Sequence, residues 1–96
     1  LMERGEVILD TGNGSLCYRG GRIDLTKNEH RIMQTLMENA GRIVSRDTIM
    51  QRLWETDSFI DDNTLTVNVA RLRKKLEEAG LNEFVETKKG AGYMVR

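Results

Sequence analysis

Residues 62–76 alternate polar and apolar positions in the way typical of a helix with two different faces. At about 100° per residue, one side of this helix carries an apolar stripe of Leu65, Val69, Leu72 and Leu76. The other side carries Thr66, Val67, Ala70, Arg71, Arg73 and Lys74. From Asn63 to Lys75 the segment contains four Lys or Arg residues and no Asp or Glu. The pattern therefore predicts a helix that packs on one face and exposes a cationic face.

A basic amphipathic helix has two interpretations, a solvated surface helix or a partner for phosphate. Solvated helices usually interleave Glu with Lys one turn apart. Here the acids come only at Glu77 and Glu78, after the basic run. A local excess of positive charge favours nucleic-acid contact without proving it, so the rest of the chain has to decide.

The first quarter of the chain alternates short β-prone runs with turn residues. The runs are Val7-Ile8-Leu9, Leu16-Cys17-Tyr18 and Ile23-Asp24-Leu25. Asn13-Gly14 predicts a hairpin with a primed turn, because such a turn needs positive φ at its centre, and Gly20-Gly21 predicts a second turn. We expect a small antiparallel sheet. A phosphate-binding loop is not supported, since no helix opens directly after Asn13-Gly14.

Three helices and a hairpin are predicted after the sheet. Thr26 and Glu29 have capping-box spacing and open a helix that Gly41 closes. Ser45 caps a second helix, whose apolar side is Ile49, Met50, Leu53 and Trp54. An acidic loop, residues 55–62, precedes the basic helix, which Gly80 stops. Residues 84–95 form a hairpin tipped by Lys88 and Lys89. This order predicts an α+β winged helix-turn-helix, with an N-terminal antiparallel sheet, three helices and a C-terminal β-hairpin wing.

Composition narrows the functional classes. A chain of 96 residues is one domain, 1–96, and 39% hydrophobic residues with few aromatics favour a compact aliphatic core over an enzyme pocket. The net charge of zero implies local, salt-sensitive binding that needs a second copy.

A single Cys and a single His predict no disulfide, metal or cofactor. No signal or membrane segment is present, so we expect a cytoplasmic location. Because the sequence starts at Leu1 and not at a Met, we expect it to be a piece of a longer protein.

Over nearly its whole length the sequence resembles the C-terminal effector domain of OmpR/PhoB-type two-component response regulators. The matching motifs are Leu25-Thr26-x-x-Glu29, Val44-Ser45-Arg46, Trp54, the run from Leu65 to Leu76, and Thr87-x-x-Gly90-x-Gly92-Tyr93. The stretch from Asp61 to Asn68 more particularly resembles regulators that answer cell-envelope or peptide-antibiotic stress in Gram-positive bacteria.

The resemblance implies that the third helix enters the major groove and the wing reaches the flanking minor groove. The implied base-reading or major-groove residues are Thr66, Val67, Ala70, Arg71 and Lys74. The implied backbone contacts are Trp54, Thr64, Arg73 and Thr87, and the implied minor-groove residues are Lys88 and Lys89. The implied RNA polymerase contacts in the acidic loop are Asp57, Phe59 and Asp61. These residue types suit their roles, because Arg can bond guanine in bidentate fashion and Thr or Trp can donate to phosphate.

Four residues have further interpretations. Ala70 stands where several relatives carry Arg, which opens a thymine-methyl contact. His30 stands where an aromatic core residue is common, so we expect a packed neutral histidine with a hydrogen-bond partner. Trp54 is expected to bury its ring and point its N–H outward. Cys17 is expected to be a small buried hydrophobe on a strand.

The sequence therefore predicts a non-enzymatic, sequence-specific binder of double-stranded DNA that regulates transcription as the output domain of a phosphorelay. An N-terminal receiver domain, a cognate histidine kinase acting on it and a homodimer on DNA are expected partners. The alternative is a winged-helix protein-interaction module without DNA binding. Such a module would not need the cations Arg71, Arg73, Lys74 and Lys89.

Overall fold

The computed structural model describes residues 1–96 and follows the predicted order of sheet, three helices and hairpin. The N-terminal strands are β1 (Met2–Arg4), β2 (Val7–Leu9), β3 (Ser15–Tyr18) and β4 (Gly21–Asp24). The helices are α1 (Lys27–Glu38), α2 (Arg46–Trp54) and α3 (Asp62–Glu78). The wing consists of β5 (Val85–Lys88) and β6 (Gly92–Val95). The predicted α+β winged helix-turn-helix is confirmed.

The N-terminal sheet is antiparallel in the order β1-β2-β3-β4. Strand β1 was not predicted, because Met2, Glu3 and Arg4 show no apolar run; it forms by pairing with β2. The hairpin between β2 and β3 is confirmed, but the primed turn is wrong. Gly14 has φ of 76° whereas Asn13 is not in the left-handed region. The longer loop is instead held by the Asp10 carboxylate, which accepts from the Gly12 amide at 2.8 Å.

The prediction that Cys17 is buried is wrong. Its neighbour Leu16 is fully buried and pairs with Leu9, so the two-residue period of the strand turns Cys17 to solvent. His30 has the predicted hydrogen-bond partner: it is half-buried, with its Nε2 3.1 Å from the Asp10 carbonyl oxygen. Both residues are thus accounted for by packing within the N-terminal half of the domain.

Each helix begins at a side-chain cap. Thr26 and Glu29 form the predicted capping box of α1, and the Ser45 hydroxyl accepts from the Thr48 amide at 3.1 Å. Helix α3 is capped by Asp61, whose carboxylate accepts from the Thr64 amide at 2.7 Å. These bonds satisfy amides that lack helical partners. None of the three helices has the length and apolarity needed to cross a membrane.

The apolar stripe of α3 is the centre of the core. Leu65 and Leu72 are fully buried, and Val69 and Leu76 are nearly so. The stripe belongs to one hydrophobic cluster with Ile32, Met33 and Leu36 of α1, Ile49 and Leu53 of α2, and apolar residues of both sheets. Packing on this side leaves the opposite side of α3 exposed, as the sequence predicted.

One cation of the basic run points into the domain. Lys75 Nζ donates to Glu29 Oε1 at 2.6 Å and to the Asp24 carbonyl at 3.0 Å. The same Glu29 oxygen accepts from the Thr26 amide at 2.9 Å, and Glu29 is only 1% exposed. A buried carboxylate requires such partners. Lys75 therefore serves folding rather than the exposed cationic face.

The wing is attached to the segment before α2. Val44 and Tyr93 exchange two backbone hydrogen bonds of 2.8 and 3.0 Å. Gly92 has φ of 146°, and a Cβ there would lie 2.0 Å from the Val44 carbonyl oxygen. Only glycine permits this approach, which explains the second glycine of the Gly-x-Gly-Tyr pattern at the start of β6.

We expect Glu29→Ala to lower the free energy of unfolding by about 2–4 kcal/mol, because it removes both the capping box and the partner of Lys75. Urea unfolding followed by circular dichroism measures the loss. The control Glu78→Ala changes an exposed carboxylate near the end of α3 and should stay within about 0.5 kcal/mol of wild type. Equal losses in the two variants would contradict a structural role for Glu29.

Candidate nucleic-acid interface

The exposed face of α3 carries the five residues predicted to lie in the major groove. Thr66, Val67, Ala70, Arg71 and Lys74 are all exposed. Val67 is 45% exposed and adds apolar surface to this face. Arg71 and Lys74 form no ion pair or side-chain hydrogen bond within the chain, so their charges are free for a partner.

The two lysines of the wing differ from each other. Lys88 is half-buried and its Nζ donates to Glu86 Oε1 at 3.3 Å. Hydrogen bonds from Arg96 and then Lys88 hold the pKa of the Glu86 carboxyl below its usual range. Lys89 is exposed in the turn and has no ion pair. Both lysines were predicted from the sequence to lie at the tip of the wing. In the structure, Lys89 is the one of the two that has no ion pair.

Most Lys and Arg residues elsewhere on the surface form ion pairs, although Arg4, Lys27 and Arg42 do not. The pairs include Arg19–Glu6, Arg22–Asp24, Arg31–Glu55, Arg52–Glu38 and Arg96–Glu86. The net charge of zero is therefore distributed unevenly. Arg71 and Lys74 on α3 and Lys89 at the wing tip are exposed and have no ion pair, so their charges are available to a phosphate backbone.

Arg46 joins three elements, although the sequence assigned it no role. Its Nε donates to Asp62 Oδ1 at 2.9 Å, and its Nη2 donates to the Asp62 carbonyl at 2.6 Å and to Thr66 Oγ1 at 2.9 Å. Its Nη1 donates to the Tyr93 hydroxyl at 2.7 Å. The hydrogen bond to Asp62 raises the pKa of the Arg46 guanidinium. The Val44-Ser45-Arg46 motif was the available signal, but it does not show which residues Arg46 meets.

Arg73 attaches α3 to the other strand of the wing. Its Nε donates to the Val85 carbonyl at 3.0 Å and its Nη2 to Thr87 Oγ1 at 2.7 Å. The guanidinium carbons of Arg73 and Arg46 lie 5.9 and 5.7 Å from the centre of the Tyr93 ring. Two predicted backbone-contact residues, Arg73 and Thr87, are thus brought together and bonded to each other.

Trp54 and Thr64, the other predicted backbone contacts, are both exposed. Trp54 is 44% exposed, so the expectation that its ring is buried is wrong. Leu53 occupies the buried position, and the next residue of the helix lies about 100° further round. The exposed indole remains suited to donating to a phosphate.

The acidic loop exposes Phe59 and Asp57, whereas Asp61 is engaged as the cap of α3. Phe59 is 76% exposed. Hydrogen bonds from the side chain and then the amide of Thr64 hold the pKa of the Asp61 carboxyl below its usual range.

Lys27 was not among the interface residues predicted from the sequence. It is exposed at the start of α1 and lines one groove together with Thr64 and Arg71. Its position directly after the Thr26 cap was the only sequence signal. The groove extends the positive surface from α3 towards α1.

This arrangement defines a winged helix-turn-helix domain of the nucleic-acid-binding class, with a cationic helix beside a lysine-tipped hairpin. Residues 20–95 match the family described as "Transcriptional regulatory protein, C terminal". The chain belongs to this family, the C-terminal DNA-binding domains of OmpR/PhoB-type response regulators. It is a domain that binds DNA and regulates transcription, and it is not an enzyme.

Three relatives illustrate the similarity. The sensory transduction protein BceR of Halalkalibacterium halodurans is 48% identical over 88 residues, covering 92% of this chain and 38% of that protein. The response regulator GraR of Staphylococcus aureus is 46% identical over 89 residues, covering 93% and 40%. The C-terminal domain of NsrR, described as a lantibiotic response regulator, superposes with a TM-score of 0.88 at 36% identity, covering 99% and 96%. The chain spans about two-fifths of the length of the first two relatives.

The Asp61 cap makes α3 sensitive to acid. Because folding depresses the pKa of Asp61, its stabilising contribution is fully present above the unfolded-state value of about 3.9 and is lost as pH falls through the folded value. We expect the difference in unfolding free energy between wild type and Asp61→Ala to shrink as urea titrations move from neutral to strongly acidic pH. Thr64→Val should raise the Asp61 pKa in an NMR titration. A difference that persists after Asp61 has been protonated would contradict this account.

Proposed function

We propose that this domain binds a specific double-stranded DNA half-site, with α3 in the major groove and Lys89 in the adjacent minor groove. The observation that carries the proposal is that Arg71 and Lys74 on α3 and Lys89 at the wing tip are exposed cations without an internal partner. Cations at these positions suit base edges, phosphates and a narrow minor groove.

Arg71 is the proposed principal base reader. It is exposed on α3 and lacks an internal partner, so its guanidinium is free for guanine O6 and N7. Val67 and Ala70 supply apolar surface beside it, which suits thymine methyl groups. Thr66 contributes to the same face, although its hydroxyl accepts from Arg46 in the unbound domain. Lys74 lies exposed on the same face of α3 and adds a second cation without an internal partner.

The proposed phosphate contacts are Trp54, Thr64, Arg73 and Thr87. Trp54 and Thr64 are exposed, which supports this role directly. Arg73 and Thr87 are bonded to each other, so they would meet a phosphate as a pair held by the wing. Lys88 adds weaker support beside Lys89, because Glu86 balances much of its charge.

We propose that the whole protein carries an N-terminal receiver domain and works in the cytoplasm as a two-component regulator. The relatives BceR and GraR are more than twice as long as the matched segment, which supports a further domain. Phosphorylation of the receiver by a cognate histidine kinase would drive homodimerisation on DNA. The exposed Phe59 and Asp57 support contact of the acidic loop with RNA polymerase, whereas Asp61 would act there as a cap.

The alternative expected from the sequence, a winged helix that contacts protein and not DNA, is not supported by the family assignment. It would leave Arg71, Lys74 and Lys89 without a common partner. Salt-dependent binding to duplex DNA separates the two functions, since neutralising phosphates releases counterions and makes affinity fall with salt.

The first binding prediction is that Arg71 specifies sequence and Lys89 anchors the wing. We expect Arg71→Ala to cost about 1–3 kcal/mol on the preferred duplex and to flatten preference at one base position. Lys89→Ala should weaken all duplexes similarly and lower the salt slope by about one. Duplexes selected by the wild-type chain from a random pool, with single mismatches, are titrated at several salt concentrations.

The matched control is Arg42→Ala, which removes an exposed arginine outside the proposed interface. It should leave both affinity and mismatch preference close to wild type. If Arg71→Ala weakened every duplex equally, the assignment of base reading to Arg71 would be wrong.

The second binding prediction is that two copies occupy a direct repeat head to tail. One recognition helix and zero net charge provide too few phosphate contacts for tight binding by a single copy at physiological salt. Joining two copies through receiver domains raises the effective concentration without new base contacts. We expect half-sites about 10–11 base pairs apart, so that both helices meet one side of the duplex.

Two altered duplexes test this arrangement with the activated full-length protein. One carries an insertion of roughly half a helical turn between the half-sites, and the other has one half-site inverted. Affinity should fall for both. Unchanged binding after the insertion, or tighter binding to the inverted site, would refute the tandem arrangement.

A further inference from the structure

We propose that Arg46 is a positioning residue for DNA recognition, which sets the wing in register with α3 so that Lys89 and Arg71 reach one half-site together. The inference rests on the proposed function. Arg46 is not one of the proposed DNA-contacting residues. Its proposed role is to couple the two parts of the interface, α3 and the wing.

The geometry of Arg46 carries the proposal. It is the first residue of α2, yet its guanidinium donates to Asp62 and Thr66 of α3 and to the hydroxyl of Tyr93 on β6. One side chain thus binds the first two turns of the recognition helix and the second strand of the wing. Tyr93 is only 5% exposed and pairs with Thr87, next to the Lys88–Gly92 pair that adjoins the turn.

The wing is a two-stranded hairpin, and an isolated hairpin of this kind is marginally stable in water. Two backbone hydrogen bonds between Val44 and Tyr93 join it to the segment before α2, and the arginine bonds connect it to α3. Arg73 attaches β5 to α3 through Val85 and Thr87, and Arg46 attaches β6 to α3 through Tyr93. Each strand of the wing therefore has its own arginine connection to the recognition helix.

Arginine is required at position 46 by the number and directions of the bonds. Its planar fork offers several N–H donors in fixed directions, and here these reach Asp62, Thr66 and Tyr93 at the same time. A lysine ammonium carries the same charge but is a compact point of donors on a flexible stem. Lysine would therefore keep the charge and lose the simultaneous bonds to α3 and β6.

Arg46 and Lys89 do not touch, yet their contributions to the free energy of DNA binding are expected to be coupled. With the wing held in place, Lys89 gains its minor-groove contact without first ordering the hairpin. When Arg46 is replaced, binding must fix the wing, and the benefit of Lys89 diminishes. A residue that only donated to phosphate would act independently of Lys89, and a lysine would largely replace it.

A double-mutant cycle with the 96-residue chain and a selected duplex tests the proposal. The variants are Arg46→Lys, Lys89→Ala and the combination, with Arg42→Lys as the matched control at an exposed arginine. We expect Lys89→Ala to weaken binding about fivefold in wild type but less than about twofold in the Arg46→Lys background. Arg46→Lys alone should weaken binding about tenfold, and the control should bind like wild type.

Two further measurements separate positioning from loss of folding and from direct contact. Tyr93→Phe keeps the ring and removes only the hydroxyl that accepts the Arg46 hydrogen bond. In this background, as in Arg46→Lys, Lys89→Ala should weaken binding less than it does in wild type. Without DNA, hydrogen exchange of the Ala91 amide, which bonds to the Lys88 carbonyl, should speed up in Arg46→Lys. Melting curves define a temperature at which every variant is folded for the titrations.

Additive losses for Arg46→Lys and Lys89→Ala, or wild-type affinity in Arg46→Lys, would overturn the positioning role and leave the proposed function standing. Unchanged Ala91 exchange in Arg46→Lys would overturn it as well. Absence of salt-dependent binding by the wild-type chain would instead refute the proposed function itself, and the inference with it.

Discussion

Burial of the apolar stripe of α3 is the constraint on which the rest of the domain depends. Leu65, Val69, Leu72 and Leu76 lie almost completely out of water and pack with residues of both other helices. Burial of this much apolar surface is the main favourable contribution to folding. It also fixes the rotation of α3 about its axis, so the polar half of the helix has to face solvent. The functional face is therefore set by packing on the opposite side.

The cations that lie close together in the sequence of α3 have different electrostatic partners and therefore different roles. Lys75 pairs with the buried Glu29, Arg73 bonds to β5, and Arg71 and Lys74 remain free. Their order along the helix places them at different angles around its axis, so neighbouring positive charges meet different surroundings. A net charge of zero is compatible with DNA binding because Arg71, Lys74 and Lys89 place unpaired positive charge locally, on α3 and at the wing tip.

The features that were predicted correctly depend on short-range patterns. The capping box at Thr26, the cap at Ser45 and the apolar spacing of α3 each involve residues within a few turns of one another. The errors arose where a second partner decided the outcome. Strand β1 forms because β2 offers an edge, and Cys17 faces solvent because Leu16 takes the buried side. Trp54 is exposed because Leu53 already fills the core position at the end of α2.

By itself the sequence determined the order of elements, the cationic face of α3 and the family resemblance, because periodicity, caps and motifs are local properties of a chain. Only the tertiary structure decided which arginines are free and which hold the wing. Arg46 and Tyr93 are 47 residues apart in sequence, and their hydrogen bond exists only after α2, α3 and the wing have packed together. The approach of Gly92 to Val44 depends equally on packing. Distant residues meet through the folded backbone, and no local pattern records the distance between them.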